Sequence, residues 1–354
     1  MVDERRTRQL NDAPVGVGPV LYWMQRGQRI NDNWALLYAA TRATQRGVPL
    51  LVVFNMVPSF QPAPLRAYDF LIKGLEEVEI GLRALGIPFY ITHGEPLDTI
   101  PAFVAGHNVG EVVCDFNPMR VPRSWHESVA TSVTVRMWQV DEHNIIPCWV
   151  ASPKEEFAAY TFRPKVHRLL GEFLAPYPEL PTVTDSSTYG SEPIDWNAVR
   201  ARLTFDTDVA PVDWLTPGEK AAVTVLESFV TDRLSRYHED RNDPNMNATS
   251  HLSPYLHFGQ LSAQRVALSV KDATQAPGDA KNAFLEELIV RKELTDNYCY
   301  YNLNHDTIAG AHAWAQKTIA EHAADVREHI YTKEQLEHGT TNDELWNAMQ
   351  QQMV

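Results

Sequence analysis

The chain has 354 residues, a formal net charge of −14, 44% hydrophobic and 21% charged residues. Single cores stop growing at about 250–300 residues, so two domains are expected; the ordinary globular composition excludes long disorder away from the ends, and the acidic balance excludes a surface coated in basic charge, although a local basic groove depends only on where Lys and Arg cluster. No apolar run approaches the roughly 20 residues that cross a bilayer, and the polar start MVDERRTRQLNDAP lacks a signal-peptide stretch, so a soluble, intracellular protein with a flexible segment 1–15 is expected.

From Val20 short apolar runs alternate with amphipathic ones. The strand candidates are Val20–Met24, Leu50–Met56, Ile87–His93, Glu111–Asn117 and Val133–Asp141. Helix candidates lie between them, one opening near Asn31 and Asp32 and carrying Trp34, Leu36, Leu37 and Ala40, and another over Arg66–Leu85 that Gly86 stops. Strands and helices in alternation with short loops imply a parallel sheet covered by helices on both faces, over residues 16–150. No GxGxxG follows the first strand, so the dinucleotide fingerprint is absent. The loop Trp23–Asn33 brings two arginines and several amides to a strand end, where they face a ligand, the next domain or solvent.

Residues 151–215 are rich in Pro, Ser and Thr and weak in periodicity after the first turns, which reads as a linker between domains. Within it Tyr160–His167 mixes Arg163, Lys165 and His167, a set suited to contacting the second domain. His143 has Cys148 as its only soft neighbour, so it reads as a packing or capping residue and not as a zinc ligand. Cys114, Cys148 and Cys299 are odd in number and widely spaced, in keeping with reduced packing thiols in a cytoplasmic or nuclear compartment.

From about Thr216 the pattern is helical, over residues 216–354. Ala222, Val225, Leu226, Phe229, Val230 and Leu234 form one apolar stripe; Ser262 is placed to cap a helix that follows; Phe284, Leu285, Leu288, Ile289 and Leu294 give a later helix a buried face. Glu286, Glu287, Arg291 and Glu293 share that helix and, on spacing alone, are surface charges in i,i+4 pairs such as Glu287 with Arg291. Two more helices are expected, Ala313–Glu328 and one capped near Asn342 that carries Leu345, Trp346 and Met349 and stops without a closing signal.

Between these helices runs Arg236–Gly259, RYHEDRNDPNMNATSHLSPYLHFG, which crowds charged, amide, hydroxyl and imidazole groups between Pro and Asn punctuation. It reads either as a solvated polar loop or as a ligand cradle. A calcium loop is excluded by spacing: counting from Asp240, Pro244 and Asn245 occupy the positions of a ligand and the turn glycine, and His251 replaces the bidentate Glu. No metal site is expected.

VLYWMQRGQRINDNWALLYA, VVFNMVPSF, VDEHNIIPCWVAS, TFRPKVH, SRYHEDRNDPNMNATSHLSPYLHFGQLS, FLEELIVRKELTDNYCYYN and WAQKT, taken together and in this order, resemble the photolyase/cryptochrome family, and within it the class II cyclobutane pyrimidine dimer photolyases. The resemblance spans nearly the whole chain. It implies an α/β, Rossmann-like antenna-type domain, a long linker and an all-α FAD-binding domain, here C-terminally incomplete because family members continue well beyond the point matching Val354. It implies that Tyr237 contacts the flavin phosphates, that Thr249, Ser250, Leu252 and Ser253 form the turn that hydrogen-bonds the pyrophosphate, that Arg291 packs beside the flavin, and that Glu287 hydrogen-bonds the dimer. The implied activity is light-driven repair: reduced FAD (FADH⁻) gives an electron to a flipped-out dimer in DNA. A monomer is expected, with an antenna chromophore that the sequence does not identify. A non-catalytic, cryptochrome-like flavoprotein and an inactive truncated photolyase are the alternatives. Gly27 and Lys292 stand where the resemblance leads one to expect Asp and Arg, and Val290 where another class places a tryptophan.

Overall fold

In the computed structural model, residues 2–60, 63–184, 186–190 and 192–353 are described. They form two compact units, Met1–Tyr301 and Asn302–Val354.

The first unit is organised on a six-stranded sheet of order β1-β6-β5-β2-β3-β4. An edge strand β1 (Thr7–Gln9) is antiparallel to its neighbour. The others, β2 (Val20–Met24), β3 (Leu50–Met56), β4 (Phe89–His93), β5 (Glu111–Asp115) and β6 (Arg136–Val140), run parallel. Helices α1 (Trp34–Arg46), α2 (Leu65–Ala84), α3 (Pro96–Gly106) and α4 (Arg120–Ser132) connect them. Because side chains alternate across a strand, Tyr22 and Met24 enter one core with Leu36 of α1 and Leu75 of α2, while Leu21 and Trp23 enter another with Phe103 of α3 and Val129 of α4. Both faces are therefore covered, as the apolar strands predict.

Two expectations about the chain's course change. The segment expected to be flexible contains β1, and the buried guanidinium of Arg6 donates to the carbonyls of Asn144 at 3.0 Å and Ile145 at 2.6 Å. Three polar residues give no apolar run, so the strand has no signature in the sequence. The expected linker contains α5 (Ala159–Phe173), whose Phe162, Val166 and Phe173 belong to the helical core. The strand candidates at Ile87 and Val133 begin later, at Phe89 and Arg136. Pro88 uses its carbonyl to accept from Val52 but has no N–H to donate, and Val133 closes α4.

The helical part consists of α5 with α6 (Glu219–Ser228), α7 (Ala263–Asp272), α8 (Gly278–Leu285) and α9 (Lys292–Tyr301). Ser262 caps α7 as expected, accepting from Gln264 N and Arg265 N. Phe229, Leu234, Leu252, Tyr255, Val266 and Phe284 share one core, which makes the elements flanking Arg236–Gly259 a single packed body.

The loop Trp23–Asn33 faces this helical part. Arg26 forms a bidentate pair with Asp296 at 3.0 and 3.1 Å, and Ile30 N donates to Glu219 at 3.1 Å. Arg29 donates to the carbonyl of Gly259 at 2.9 Å and to Glu142 at 2.5 Å. Gly259 has φ +67°, and a Cβ there would fall 1.7 Å from the carbonyl oxygen of Arg26, so a glycine is required on both counts. Gly27 is similarly confined, since a Cβ would meet the Glu142 carboxylate at 2.8 Å. An aspartate there would also set two carboxylates against each other.

The second unit contains α10 (Ala313–Glu321), α11 (Lys333–Glu337) and α12 (Glu344–Met353). The helix expected to reach Glu328 ends at Glu321, where His322 turns to bond Asp325 at 2.7 Å and its carbonyl accepts from Arg327. Asp343, one residue beyond the expected cap, bonds Trp346 N at 3.0 Å. No helix among the described residues is long and apolar enough to cross a membrane.

Candidate functional site

In a doubly wound sheet the first place to look for a ligand is the crevice beyond the carboxyl ends of the central strands. Here that crevice is filled by the chain itself. Asp115, ending β5, accepts from the backbone N–H groups of Gln25, Arg26 and Gly27 at 2.9, 2.7 and 2.9 Å and from the Tyr22 hydroxyl at 2.7 Å. Successive N–H groups of this kind form a seat for an anion. A buried carboxylate occupies it, in keeping with the missing GxGxxG.

The second concentration of chemistry lies in the helical part, around two π-helical turns, Phe229–Arg233 and Glu286–Arg291. A π turn adds a residue to the helical repeat and displaces the side chains after it, and such turns are frequent at functional sites. In Glu286–Arg291 the shift buries Leu288, Ile289 and Val290 in succession and leaves Glu286, Glu287 and Arg291 on the outer side.

The expected Glu287–Arg291 pair is consequently not formed as i,i+4 spacing predicts. Glu287 Oε1 is paired instead with Arg241 Nη1 at 3.1 Å, while Arg291, more than half exposed, approaches Glu286 at 3.6 Å. Glu286 is held chiefly by Arg163 of α5, at 2.7 and 3.0 Å, which realises the contact expected of Tyr160–His167. The hydrogen bond from Arg163 lowers the Glu286 pKa against the opposing effect of burial. Glu293 is no surface charge: it is buried and accepts from Ile145 N at 2.6 Å. The π turn breaks the i,i+4 geometry between Glu287 and Arg291, whereas Glu293 lies beyond it, on α9, and is placed by its contact with the Ile145 amide.

Arg241 gathers the site. It caps the turn through the Ala283 carbonyl at 3.4 Å, pairs with Glu287, and stands 5.5 Å above the ring of Tyr237. Burial disfavours its charge, but Tyr237 and Glu287 outweigh that and raise its pKa. The Tyr237 ring packs edge-on to Phe229 and Phe284 at 5.9 and 5.1 Å, fixing its direction from within the core. Tyr237 and Glu287, 50 residues apart in the chain, are thus brought together by an arginine that the sequence reading passed over. Its place four residues after Tyr237, in the same polar stretch, was the available signal.

The turn 249–253 lies just before the short helix Ser253–His257. Thr249 and Ser253 are exposed. The Ser250 hydroxyl accepts from Leu252 N at 3.3 Å, and the Leu252 side chain is fully buried, so that residue can meet a ligand only through its backbone. Between them His251 adopts φ +58°, a left-handed conformation that costs a non-glycine residue roughly 1 kcal/mol or more. Its ring is held by Asn247 at 2.7 Å and stacks edge-on to Trp214. Burial, then the nearby charge of Arg233, lowers the His251 pKa.

Arg233 is the second residue the sequence reading missed. Its Nε is buried and has no hydrogen-bond partner. A donor left unpaired beside a turn of hydroxyls and backbone N–H groups fits an anionic group, and with Arg241 and Tyr237 the donor set suits a pyrophosphate. The arrangement therefore fits the phosphate end of a flavin dinucleotide. Among the described residues no group of three or more His, Cys, Asp or Glu side chains is placed to hold a metal ion.

Comparison with known proteins gives a consistent result. A sequence model described as DNA photolyase matches residues 20–182. The deoxyribodipyrimidine photo-lyase of Potorous tridactylus is 46% identical over 336 residues, covering 94% of this chain and 63% of that protein. The enzyme of that name from Oryza sativa subsp. japonica is 45% identical, covering 95% and 69%, and that from Methanothermobacter thermautotrophicus is 35% identical, covering 100% and 78%. The chain therefore spans 63% of the first of these relatives and somewhat more of the others. The fold is similar to a bacterial class III photolyase from Agrobacterium tumefaciens, with TM-score 0.66, 18% identity, and coverage of 95% of this chain and 68% of that one.

Proposed function

The chain belongs to the DNA photolyase family, and on that premise we propose that it serves light-dependent repair of cyclobutane pyrimidine dimers in DNA, with FAD as its cofactor. The observation that supports this reading best is the cluster Tyr237–Arg241–Glu287, together with the unpaired Arg233 donor, which lies over the Phe229 ring that packs on Tyr237 and whose charge reaches His251 in the turn 249–253. Bound reduced FAD supplies a light-released electron, chemistry that no side chain provides.

The chain's own residues would bind and orient. Arg233, Tyr237, Thr249, Ser250 and Ser253, with the backbone of Leu252, hold the pyrophosphate; Arg291 lies on the outer side of the π turn, where it can pack beside the flavin. Glu287 offers its carboxyl group to a dimer flipped into the site and stabilises charge arriving on the bases. Arg241 keeps that carboxyl oriented and can exchange its partner for a DNA phosphate as substrate enters. A damaged base pair costs less to flip than an intact one, so lesion choice needs no reading of sequence. Binding of dimer-containing DNA through a few arginines should weaken steeply with salt.

The test is an absorption spectrum of the purified chain, followed by illumination of the flavin-loaded protein with a dimer-containing oligonucleotide. Flavin absorbance and recovered thymines support the proposal. Flavin without recovery leaves a non-catalytic flavoprotein, and a chain that takes up no FAD refutes the assignment of the phosphate site.

A further inference from the structure

A cavity of about 220 Å³ opens between β1, α4 and the end of β6, away from the cluster described above. Arg8 and Arg123 contribute two guanidinium groups to its wall, against one carboxylate, Glu127, which is mostly exposed and held by Arg123 at 3.0 Å. Both arginines lie over the ring of Tyr300, at 5.2 and 5.4 Å, and Arg8 also over Trp149 at 4.9 Å. Aromatic faces fix the guanidinium planes without neutralising them.

The hydrogen bonds behind the wall run in one direction. Arg8 Nε donates to Gln139 Oε1 at 2.7 Å, Gln139 Nε2 donates to His126 Nδ1 at 2.9 Å, and His126 Nε2 donates to Gln25 Oε1 at 2.5 Å. This order requires a neutral imidazole, and burial, then the charge of Arg8, lowers the His126 pKa to about 3. Each side-chain acceptor along the chain is used. On the far side of His126 two buried donors have no partner, Gln25 Nε2 and the Nε1 of Trp23, whose ring meets His126 edge-on at 5.5 Å. These two donors stand behind His126; the groups lining the cavity with N–H to spare are the guanidinium groups of Arg8, which bonds Gln139 and the Tyr300 hydroxyl, and Arg123, which bonds Glu127 and the Tyr300 carbonyl.

We propose that this cavity is a binding site for a small oxyanion, a phosphate or carboxylate group. Its volume falls below the roughly 300 Å³ at which sites for drug-sized molecules begin, so it admits a headgroup and no extended ligand. The site is independent of the flavin assignment, because it shares no residue with it.

The experiment is calorimetric titration of the whole chain with inorganic phosphate and separately with acetate, at constant ionic strength set by sodium chloride. Saturable binding is expected for at least one of them, weakened about tenfold or more in Arg123→Gln and largely kept in Arg123→Lys. Arg123 also donates to the Tyr300 carbonyl at 3.1 Å, so Arg123→Gln and Arg8→Gln are both checked for folding by circular dichroism; Arg8→Gln should abolish binding. No saturation through the millimolar range, or equal affinity in the wild type and both glutamine variants, overturns the proposal. So does a thymine oligonucleotide held through Arg123 when neither free anion is.

Discussion

Arg241 Nη1 sits 3.1 Å from Glu287 Oε1, and this pair, made across 46 residues of chain, replaces the Glu287–Arg291 pair that helical spacing predicts. The carboxyl group is therefore positioned from outside its own helix. Glu287→Ala should lower the repair yield per absorbed photon by at least about tenfold while changing DNA affinity much less, because the lost interaction is one made to charge developing on the dimer. Single-turnover repair and equilibrium binding, measured on the same variant, separate the two effects; an unchanged yield sinks the role.

Arg233 provides a cleaner test of the cofactor site than the hydroxyl turn does. Its Nε lacks a partner, and a charge-assisted hydrogen bond is worth about 1.5–3 kcal/mol. Arg233→Gln should raise the dissociation constant for FAD by roughly ten- to hundredfold, read by flavin retention on a desalting column and by fluorescence titration. Equal retention would remove Arg233 from the phosphate site.

Gly259 is pinned by Arg26 and Arg29 of the loop that leaves β2. Gly259→Ala requires a left-handed alanine and a displaced carbonyl together, and should cost on the order of 2–4 kcal/mol in urea unfolding. Arg29→Met leaves the Glu142 carboxylate buried without its partner and should cost about 3–5 kcal/mol. A Gly259→Ala chain with wild-type stability would show that the loop and helical part are not locked as described.

The buried Glu293 makes stability depend on pH. Burial raises its pKa to about 8 from 4.5, against the opposing effects of Lys292 and the Ile145 amide. The folded state then holds a proton that the unfolded state releases above about 4.5. Its contribution is full below that value, declines as pH rises, and is gone once pH has passed through about 8. Glu293→Gln removes this dependence, so wild-type stability minus that of the variant should fall across this window by up to about 1.4 kcal/mol per pH unit. Asp141, Lys292 and Arg6 face the same carboxyl group and remain in both proteins, which is why the difference is the informative quantity. Parallel curves would contradict the assignment.

The central strands of the sheet could be read from the sequence because each is buried on both faces and so appears as an unbroken apolar run, as in Leu50–Met56, and α1 and α2 because each carries an apolar stripe. β1 could not, since Thr7, Arg8 and Gln9 are placed by pairing with β6 and by the burial of Arg6, which are long-range effects. The polar stretch Arg236–Gly259 stood out by composition alone. Its partners did not, because a π turn breaks the helical spacing on which the reading of Glu286–Glu293 relied, and because Arg233 and Arg241 acquire meaning only when the turns around Phe229 and Glu287 pack together. The resemblance supplied Tyr237 and Glu287 as separate positions; their common neighbour came from the structure.

The most direct measurement of the central proposal is recovery of intact thymines from a dimer-containing oligonucleotide, with the chain loaded with reduced FAD, in the light and in matched darkness. Recovery is expected under blue or near-ultraviolet light and none in the dark. A flavin-loaded chain that binds the oligonucleotide yet recovers no thymine under illumination would contradict the proposal.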